Sequence, residues 1–566
     1  MTTPPTGIWQ AFSVFPPLFP PVRRRILQRM NVERLFMNAR IYALEREGES
    51  FAAMRVGPDG RIRELYPEGA PTPPGLGTVD LGGRAVVPAF IDAHTHFMSK
   101  AGLEALAVRL ARLEGGRLVP DCLDGVRVLL AERAGRTSGM VMGYGLCLGA
   151  VAERRLPRAS ELDAWLPSRP VIVLSMDGHS SSFSSTALEA LGLASVAEDG
   201  ILSGAAHEFN MGKVTAYAMK SMGPSGIARG LSRSVAEAVE GGLVCVHCLE
   251  GTEDSPRDPA AALLRLLGPS LPVRIRLWLQ YTDVDRVRRH AKRLTHPRAG
   301  GCLAWEMDGS VSSRSAAFDQ PYLDRPHAGR LYRDPDGALA LVAPFYAAGF
   351  QTSAHALGPR GIESILSAYE SLMDGAGDRE NARRLRIDHF EFPRPDQVER
   401  AGKRRLAVAV QPGFAWADAR FIHSYEEALP ASVLAGQSPL RSLVDAGCVV
   451  ALSTDAPVQP LDPFMQIAGA CDHPVASERL SVYEALRAYS WAGAWMTFED
   501  GERGTLAVGK YADFAVLDRD PFATPADRLH EVRVTGTWHE GEPLVAPPED
   551  LSSFALRLLG ARRRRL

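Results

Sequence analysis

Eight short apolar segments with strand character alternate with helical segments through the middle of the chain, and most of them end beside a polar residue. This alternation predicts an α/β fold of the TIM type, an eight-stranded parallel (β/α)8 barrel. In such barrels the carboxyl ends of the strands face the mouth, where enzymes hold their chemistry. The predicted strands are Val86–Asp92, Leu243–His247, Val273–Leu279, Cys302–Met307, Gln351–His355, Leu385–His389, Leu406–Gln411 and Val449–Ser453.

The two ends of the chain differ from this alternating middle. Residues 32–87 and 501–548 contain short strands separated by turns, which predicts a small β-sandwich domain built from both ends. The barrel is predicted over residues 88–500. The interval between its first and second strands is too long for a loop, so residues from about 100 to 240 are expected to form an inserted α/β lobe.

The terminal segments predict little regular structure. In residues 1–31, prolines interrupt the apolar stretch and the arginines follow it, which is the reverse of a signal peptide and indicates a poorly ordered arm. Residues 549–566 form a C-terminal segment whose basic tail, Arg562 to Arg565, is expected to be solvated. The apolar runs have the length of strands, so no membrane partner is expected and a cytoplasmic location is predicted.

Charge and cysteine content exclude several classes of function. The 566 residues include 64 basic and 66 acidic side chains, and this balance gives no support to nucleic-acid binding. Seven scattered cysteines do not form a disulfide framework. The partner expected for such a chain is a small-molecule substrate, and a homodimer is a reasonable expectation for its assembly.

Four of the predicted strand ends carry residues that bind metals. The first ends in His94-Thr95-His96, whose two imidazoles lie on the same side of an extended chain. His355, His389 and Asp455 end three further strands. Neutral imidazole and carboxylate are ligands for zinc and similar divalent ions, so these residues predict a shared metal site at the barrel mouth.

With these motifs the chain resembles the amidohydrolase superfamily, and within it the YtcJ-like branch, also described as amidohydrolase type 3. The resemblance implies metal-dependent hydrolysis of amide-type C–N bonds by one or two divalent ions, zinc being expected, in a distorted barrel beside a β-sandwich. The segments that carry it are Val87–His96, Asp177–His179, Asp308–Ser310 with Arg314, His355–Gly358, Gln411–Pro412, Ser453–Pro457 and Gly504–Asp513.

The fourth strand departs from the family pattern. Related members with two metals carry a lysine here that becomes carboxylated and bridges the ions, but this chain has Ala304, and no lysine lies between Lys292 and Lys403. Glu306 stands two residues further on, on the same side of the strand. We predict Glu306 as a ligand or bridge; the alternative is a carboxylate that only positions a histidine or the substrate.

The predicted mechanism uses a metal-activated water. His94 and His96, with either or both of His355 and His389, hold the ion, which lowers the pKa of a bound water from about 15.7 to about 7. Asp455, also counted as a ligand, takes the proton of the water and later delivers it to the leaving nitrogen. His389 is assigned to catalysis together with Asp455.

Three further residues are predicted to bind the substrate. His179, on the inserted lobe, is expected to reach over the mouth to the substrate or a developing oxyanion, the alternative being an ordinary loop histidine. Arg314 binds an anionic or carbonyl group or else pairs with a neighbouring acid. Asp308, in the segment that precedes Arg314, completes the set.

Two other functions remain open from sequence alone. The same ligands could serve a one-metal deaminase of a purine, pyrimidine or triazine-like ring. The altered position at Ala304 is also compatible with a scaffold or regulatory protein that has kept the fold and lost catalysis, although the four histidines and Asp455 argue against it.

Overall fold

The structure is a computed structural model that describes residues 33–114, 117–253, 258–292, 294–561 and 563–565. The predicted N-terminal arm, residues 1–31, lies outside the described residues. Within them, the strands are β1 (Arg34–Ile41), β2 (Ala53–Val56), β3 (Ile62–Tyr66), β4 (Gly77–Pro88), β5 (Phe90–Thr95), β6 (Ala107–Arg109), β7 (Arg112–Glu114), β8 (Arg117–Val119), β9 (Val141–Leu146), β10 (Val171–Ser175), β11 (Ser180–Phe183), β12 (Ile201–Ser203), β13 (Leu243–Glu250), β14 (Arg274–Leu279), β15 (Arg298–Glu306), β16 (Gln351–Ala356), β17 (Arg386–His389), β18 (Ala407–Val410), β19 (Val449–Leu452), β20 (Phe514–Leu517), β21 (Val534–His539) and β22 (Glu542–Pro543).

Helices cover the strands of the barrel and build much of the lobe. In the described residues they are α1 (Phe97–Leu106), α2 (Leu123–Ala134), α3 (Ala159–Trp165), α4 (Ser185–Leu191), α5 (Ala205–Glu208), α6 (Met211–Glu240), α7 (Pro259–Leu267), α8 (Val284–Ala291), α9 (Pro335–Ala347), α10 (Pro359–Ala376), α11 (Pro395–Lys403), α12 (Pro412–Ala417), α13 (Ser424–Ala428), α14 (Ala431–Leu434), α15 (Leu440–Ala446), α16 (Pro463–Cys471), α17 (Val482–Ala488), α18 (Trp491–Met496) and α19 (Leu551–Leu559). Among these, none is both long and apolar enough to cross a bilayer.

Eight parallel strands form the predicted barrel, in the order β5-β13-β14-β15-β16-β17-β18-β19. Their side chains are almost entirely buried, and those of β18 and β19 are all aliphatic, as expected for parallel strands covered by helices. The first and last strands meet at their carboxyl ends, where Thr95 bridges to Ala456 and the Asp455 N–H donates to the His94 carbonyl at 3.0 Å. We call this contact between β5 and β19 the closing seam.

The first barrel strand begins later than predicted. The chain leaves the sheet domain at Pro88, turns at Ala89 and enters the barrel at Phe90, so the predicted strand Val86–Asp92 belongs to two sheets. Hydrogen-bond pairing decides this division, because β4 pairs with β1 and β20 whereas β5 pairs with β13. A continuous apolar run does not reveal such a change of partner.

The fourth barrel strand, β15, contains a bulge. Its ladder with β16 steps from the pair Gly301 and Ala354 to the pair Glu306 and His355, so extra residues are inserted on β15. The backbone has positive φ angles at Gly300 and Gly301, of 109° and 126°. A Cβ atom at Gly300 would lie 1.9 Å from a backbone oxygen of β16, so only glycine allows this close approach.

A separate seven-stranded sheet draws strands from both ends of the chain, in the order β22-β21-β20-β4-β1-β2-β3. Its core contains three aromatic rings: Phe36 meets Phe514 and Trp538 edge to face, and the latter two are stacked with their centroids 5.4 Å apart. Because β4 leads directly into β5, the sheet domain is joined to the first ligand-bearing strand of the barrel.

The inserted lobe is built on a five-stranded sheet in the order β12-β11-β10-β9-β6, and α6 returns the chain to the barrel. Gly223, with a φ angle of 60°, and Pro224 interrupt α6. The lobe is attached to the loop after β15, because Ser310 donates to Asp177 at 2.6 Å and the hydroxyls of Ser180 and Ser313 lie 2.9 Å apart. This attachment brings the turn between β10 and β11 to the mouth of the barrel.

The C-terminal segment lies against the barrel. The Arg564 N–H donates to the carbonyl of Pro269 at 2.7 Å and its guanidinium to the carbonyl of Pro272 at 2.8 Å. Arg276 in turn donates to the carbonyl of Arg565 at 2.8 Å. Arg563 and Arg565 are exposed, as predicted for a solvated tail, and Arg562 lies outside the described residues. Arg564 is instead half-buried, because backbone carbonyls next to the barrel accept its hydrogen bonds.

Candidate metal centre

The closing seam brings three of the predicted residues together. His94 ends β5 and is fully buried, and His96 precedes α1. The Oδ1 atom of Asp455 lies 3.3 Å from Nε2 of His94 and 3.4 Å from Nε2 of His96. His94, in β5, and His96, directly after its last residue, thus direct both imidazoles to one carboxylate on the adjoining strand end.

His355 and His389 lie on the neighbouring strands β16 and β17. Their ring centroids are 4.3 Å apart, and the ring of His389 lies 4.9 Å from that of His94. Nδ1 of His389 donates to the Gln411 amide oxygen at 2.8 Å, while the amide nitrogen of Gln411 donates to Ser453. This tautomer leaves the Nε2 lone pair of His389 free for a ligand.

The negative charges around His94 favour the binding of a cation. Burial alone would lower the pKa of this imidazole, but the carboxylates of Asp388 and Asp455 outweigh it and raise the pKa to about 9. Asp388 lies 3.4 Å from Nδ1 of His94 and also accepts from Arg386 at 2.6 Å and from Ser353 at 2.5 Å. Asp388 is therefore a charged neighbour on the Nδ1 side of the ring, and Nε2 faces Asp455.

Several buried polar atoms in the centre have no hydrogen-bond partner among the described residues. They include Nε2 of His389, Oδ1 of Asp455 and Oε2 of Glu306. An unsatisfied buried group costs about 1–3 kcal/mol, and a cation at these lone pairs would offset that cost. The donor set of imidazole, carboxylate and thiol suits zinc and related divalent ions.

Four sets of three side chains in the described part of the chain could hold an ion, since the ligand atoms of each set lie within 4.8 Å of one another. The sets are His94, His96 and Cys302; His94, His389 and Asp455; Cys302, His355 and His389; and His179, Glu306 and His355. Shared members join all four sets into one continuous centre.

Cys302 is a member of this centre that sequence analysis missed. Its Sγ atom lies 3.5 Å from Nε2 of His94 and 3.9 Å from Nδ1 of His355. The pair Gly300-Gly301 before it was the available signal, because two glycines inside a barrel strand indicate a bulge.

Glu306 lies on the lobe side of the centre. Its Oε1 accepts the Leu303 N–H at 2.8 Å, and its Oε2 is 3.9 Å from Nδ1 of His179. Nδ1 of His179 in turn lies 2.9 Å from Oε1 of Glu208. Sequence analysis missed Glu208. Burial and the negative charge of Glu208 raise the pKa of Glu306 well above its usual range.

Two residues predicted to bind substrate have other partners. Asp308 is fully buried, and its carboxylate accepts the N–H groups of Ala317, Leu357 and Gly358 at 2.8 to 2.9 Å. These bonds hold together the loops after β15 and β16, and a substrate contact of Asp308 stays a prediction. Arg314 forms the neighbouring ion pair that was its alternative, with Asp324 at 3.0 Å.

Two cavities meet at the centre. The larger, of about 420 Å³, is lined by Arg314 and Asp324 at its outer end, and the smaller, of about 160 Å³, by Cys302 and Glu306. The residues that line both are Asp177, His179, His355, His389 and Asp455, together with their neighbours Ser175, Met176 and Val458. A small molecule in the larger cavity would therefore reach the ligand atoms directly.

A parallel barrel that gathers imidazole and carboxylate groups at its strand ends defines the class of metal-dependent barrel hydrolases. The chain belongs to the amidohydrolase family: the model of that family matches residues 77–545, which include both the barrel and the inserted lobe. The resemblance found in the motifs is thereby confirmed.

Individual relatives are distant. The chain is 29% identical over 78% of its length to Protein LONG AFTER FAR-RED 3 of Arabidopsis thaliana, covering 79% of that protein. It is 25% identical over 89% of its length to the YtcJ protein of Bacillus subtilis (strain 168), and 24% identical over 90% to N-substituted formamide deformylase of Arthrobacter pascens, covering 97% of each. An uncharacterized metal-dependent hydrolase from Pyrococcus furiosus matches 87% of this chain and 100% of its own, with a TM-score of 0.65 and 22% identity, which shows the shared fold.

Proposed function

We propose that the protein hydrolyses an amide-type C–N bond, of an acyl or formyl amide, in a small molecule, with zinc as its divalent ion. The observation that carries the proposal is that Oδ1 of Asp455 lies within 3.4 Å of Nε2 of both His94 and His96 at the closing seam, and that His355 and His389 lie beside each other on adjacent strands. The name of one relative, N-substituted formamide deformylase, supports an amide as the substrate class.

The chain offers two adjoining groups of ligands. His94, His96 and Asp455, which approach one another at the closing seam, would hold one ion, and His355 and His389 would supply a second position beside it. A bound divalent ion would supply a water of lowered pKa and polarise the scissile carbonyl. His389 contributes to catalysis as a ligand whose free Nε2 is fixed by the hydrogen bond from Nδ1 to Gln411.

Asp455 moves the proton in this proposal. Burial opposes its ionisation, but the imidazoles of His94 and His96 outweigh burial and hold its pKa well below the usual range, so the group is a carboxylate at neutral pH. The carboxylate accepts a proton from the attacking water and delivers it to the leaving nitrogen as the C–N bond breaks. The products are a carboxylic acid and an amine.

The lobe completes the substrate site. His179 lies over the mouth, with its ring centroid 5.4 Å from that of His355, and its pKa is raised to about 10 because Glu208 and Glu306 outweigh its burial. A cationic imidazole in this position would stabilise a developing oxyanion. Arg314, held by Asp324, would bind a carbonyl or anionic group at the outer end of the larger cavity.

A substrate screen tests the proposal. The zinc-loaded protein is assayed against N-formyl amines, N-acyl amines, N-acyl amino acids, cyclic amides and heterocyclic amines, and Asp455→Asn serves as the matched inactive control. Release of an amine and an acid by the wild type alone is the expected result. Release of ammonia from a ring would assign deamination instead. Failure of the wild type to bind zinc after dialysis would contradict the proposal and favour a non-catalytic scaffold.

A further inference from the structure

The bulged fourth strand, β15, carries Cys302, whose side chain adjoins both ligand groups. Sγ of Cys302 is 3.5 Å from Nε2 of His94, on the seam side, and 3.9 Å from Nδ1 of His355, on the other side. Cys302 shares one ligand set with His94 and His96, and another with His355 and His389.

We propose that Cys302 binds metal as a thiolate and bridges the two ion positions of the centre. This inference rests on the proposed metal-dependent function. A thiolate is a strong zinc ligand, and one sulfur atom between two groups of imidazoles can coordinate an ion on each side. Ala304, two residues further along β15, offers no ligand atom.

The backbone of β15 is shaped to deliver this side chain. Gly300 packs against the adjacent strand β16, where a Cβ atom would lie 1.9 Å from the Ser353 carbonyl oxygen. Gly301 faces the barrel interior, where a Cβ atom would lie 2.3 Å from the side chain of Leu249 on β13. Leu303 follows with a φ angle of 56°, unusual for a residue with a side chain. The two glycines allow the bulge and Leu303 continues it in a conformation that costs free energy, so the backbone on both sides of Cys302 directs its side chain to this place.

Two other buried atoms of the centre would also be satisfied by a bound metal ion. Nε2 of His389 and Oδ1 of Asp455 are buried and have no hydrogen-bond partner among the described residues, although their side chains are otherwise oriented by the protein. His389 belongs to a ligand set with Cys302, and Asp455 to a set with His389. His389 therefore adjoins the sulfur directly, and Asp455 is connected to it through His94 and His389.

Glu306, predicted from sequence as the bridge, is less suited to it. Its Oε1 already accepts the Leu303 N–H, and its Oε2 faces His179 on the lobe side. Glu306 shares its ligand set with His179 and His355, so the carboxylate adjoins one side of the centre. We therefore place the bridge at Cys302 and leave Glu306 with His179 and the substrate.

X-ray absorption spectroscopy of the zinc-loaded wild type is the direct test. The expected result is a Zn–S distance of about 2.3 Å in addition to nitrogen and oxygen ligands. The matched control is Cys448→Ser, which changes a buried cysteine at the opposite end of β19 and should leave the Zn–S signal intact. A zinc-loaded wild type with nitrogen and oxygen ligands alone would overturn the inference while leaving the proposed function standing.

Cobalt titration of variants gives a second readout. Wild type and Cys448→Ser should develop a sulfur-to-cobalt charge-transfer band, and Cys302→Ser should lose it and bind cobalt at least about 10-fold more weakly. Cys302→Asp keeps an anionic ligand, so it should recover binding without the band. An undiminished band in Cys302→Ser would refute the bridge. Absence of cobalt binding by the wild type would instead count against the proposed function.

Discussion

Asp92 connects the two ligand-bearing strands at the closing seam, and its replacement by alanine is expected to weaken zinc binding although Asp92 is not itself in a ligand set. The carboxylate is fully buried. Its Oδ1 accepts the N–H groups of His94 at 3.2 Å and Thr454 at 3.1 Å, and its Oδ2 accepts the hydroxyls of Thr454 at 2.7 Å and Tyr489 at 2.8 Å. These four bonds hold His94 beside Asp455.

The magnitude follows from these four bonds. In Asp92→Ala the two hydroxyls can turn to other acceptors, but the two backbone N–H groups cannot, and each buried unsatisfied donor costs about 1–3 kcal/mol. Relaxation of the seam to satisfy them would move His94 relative to Asp455. Supporting residues of metal sites typically account for about 10- to 100-fold in metal affinity, and we expect a loss in this range.

Zinc affinity is measured by competition with a chromophoric chelator, and circular dichroism verifies that the variant is folded. Tyr489→Phe is the control, because it removes one of the four bonds and should have a smaller effect, corresponding to about 0.5–1.5 kcal/mol. A folded Asp92→Ala protein with the zinc affinity of the wild type would refute the reasoning, since the ligands would then be positioned without the seam.

Two further predictions concern catalysis and stability. Asp455→Asn should retain zinc in elemental analysis but lower kcat by about 10²- to 10⁴-fold, because the amide cannot accept the proton of the water; unchanged turnover would remove Asp455 from that step. Glu499→Gln should destabilise the fold by about 3–5 kcal/mol in thermal or chemical unfolding, because it leaves Arg274 and Arg276 buried without their carboxylate. Burial opposes ionisation of Glu499, but these guanidiniums outweigh it and lower its pKa below the unfolded value of about 4.3. The wild-type contribution is therefore present at neutral pH and is lost as the pH falls below that value. The assignment would be contradicted if the free energy of unfolding of the wild type did not change with pH in this range. It would also be contradicted if Glu499→Gln had the same free energy of unfolding as the wild type.

The barrel and the family could be predicted because their signals are local. Strand and helix alternation sets a parallel barrel, and a spacing of two residues on a strand sets a common direction for His94 and His96. The carboxyl ends of all strands of a parallel barrel lie at the same mouth, which is why residues far apart in sequence could be assigned to one site. The eight-stranded barrel, the separate sheet domain and the amidohydrolase family are confirmed.

Tertiary structure decided the features that depend on contacts between distant elements. The bulge in β15 arises from its fit against β14 and β16, and it brings Cys302 to the centre in a way that strand periodicity does not predict. Glu208 reaches His179 through the fold of the lobe, and Asp308 is held by N–H groups from its own loop and from the loop after β16. Sequence patterns therefore determined which residue types could gather at the mouth, whereas hydrogen bonding and packing between elements decided which atoms face the centre, because side-chain direction at a bulge or loop depends on neighbours that are remote in the chain.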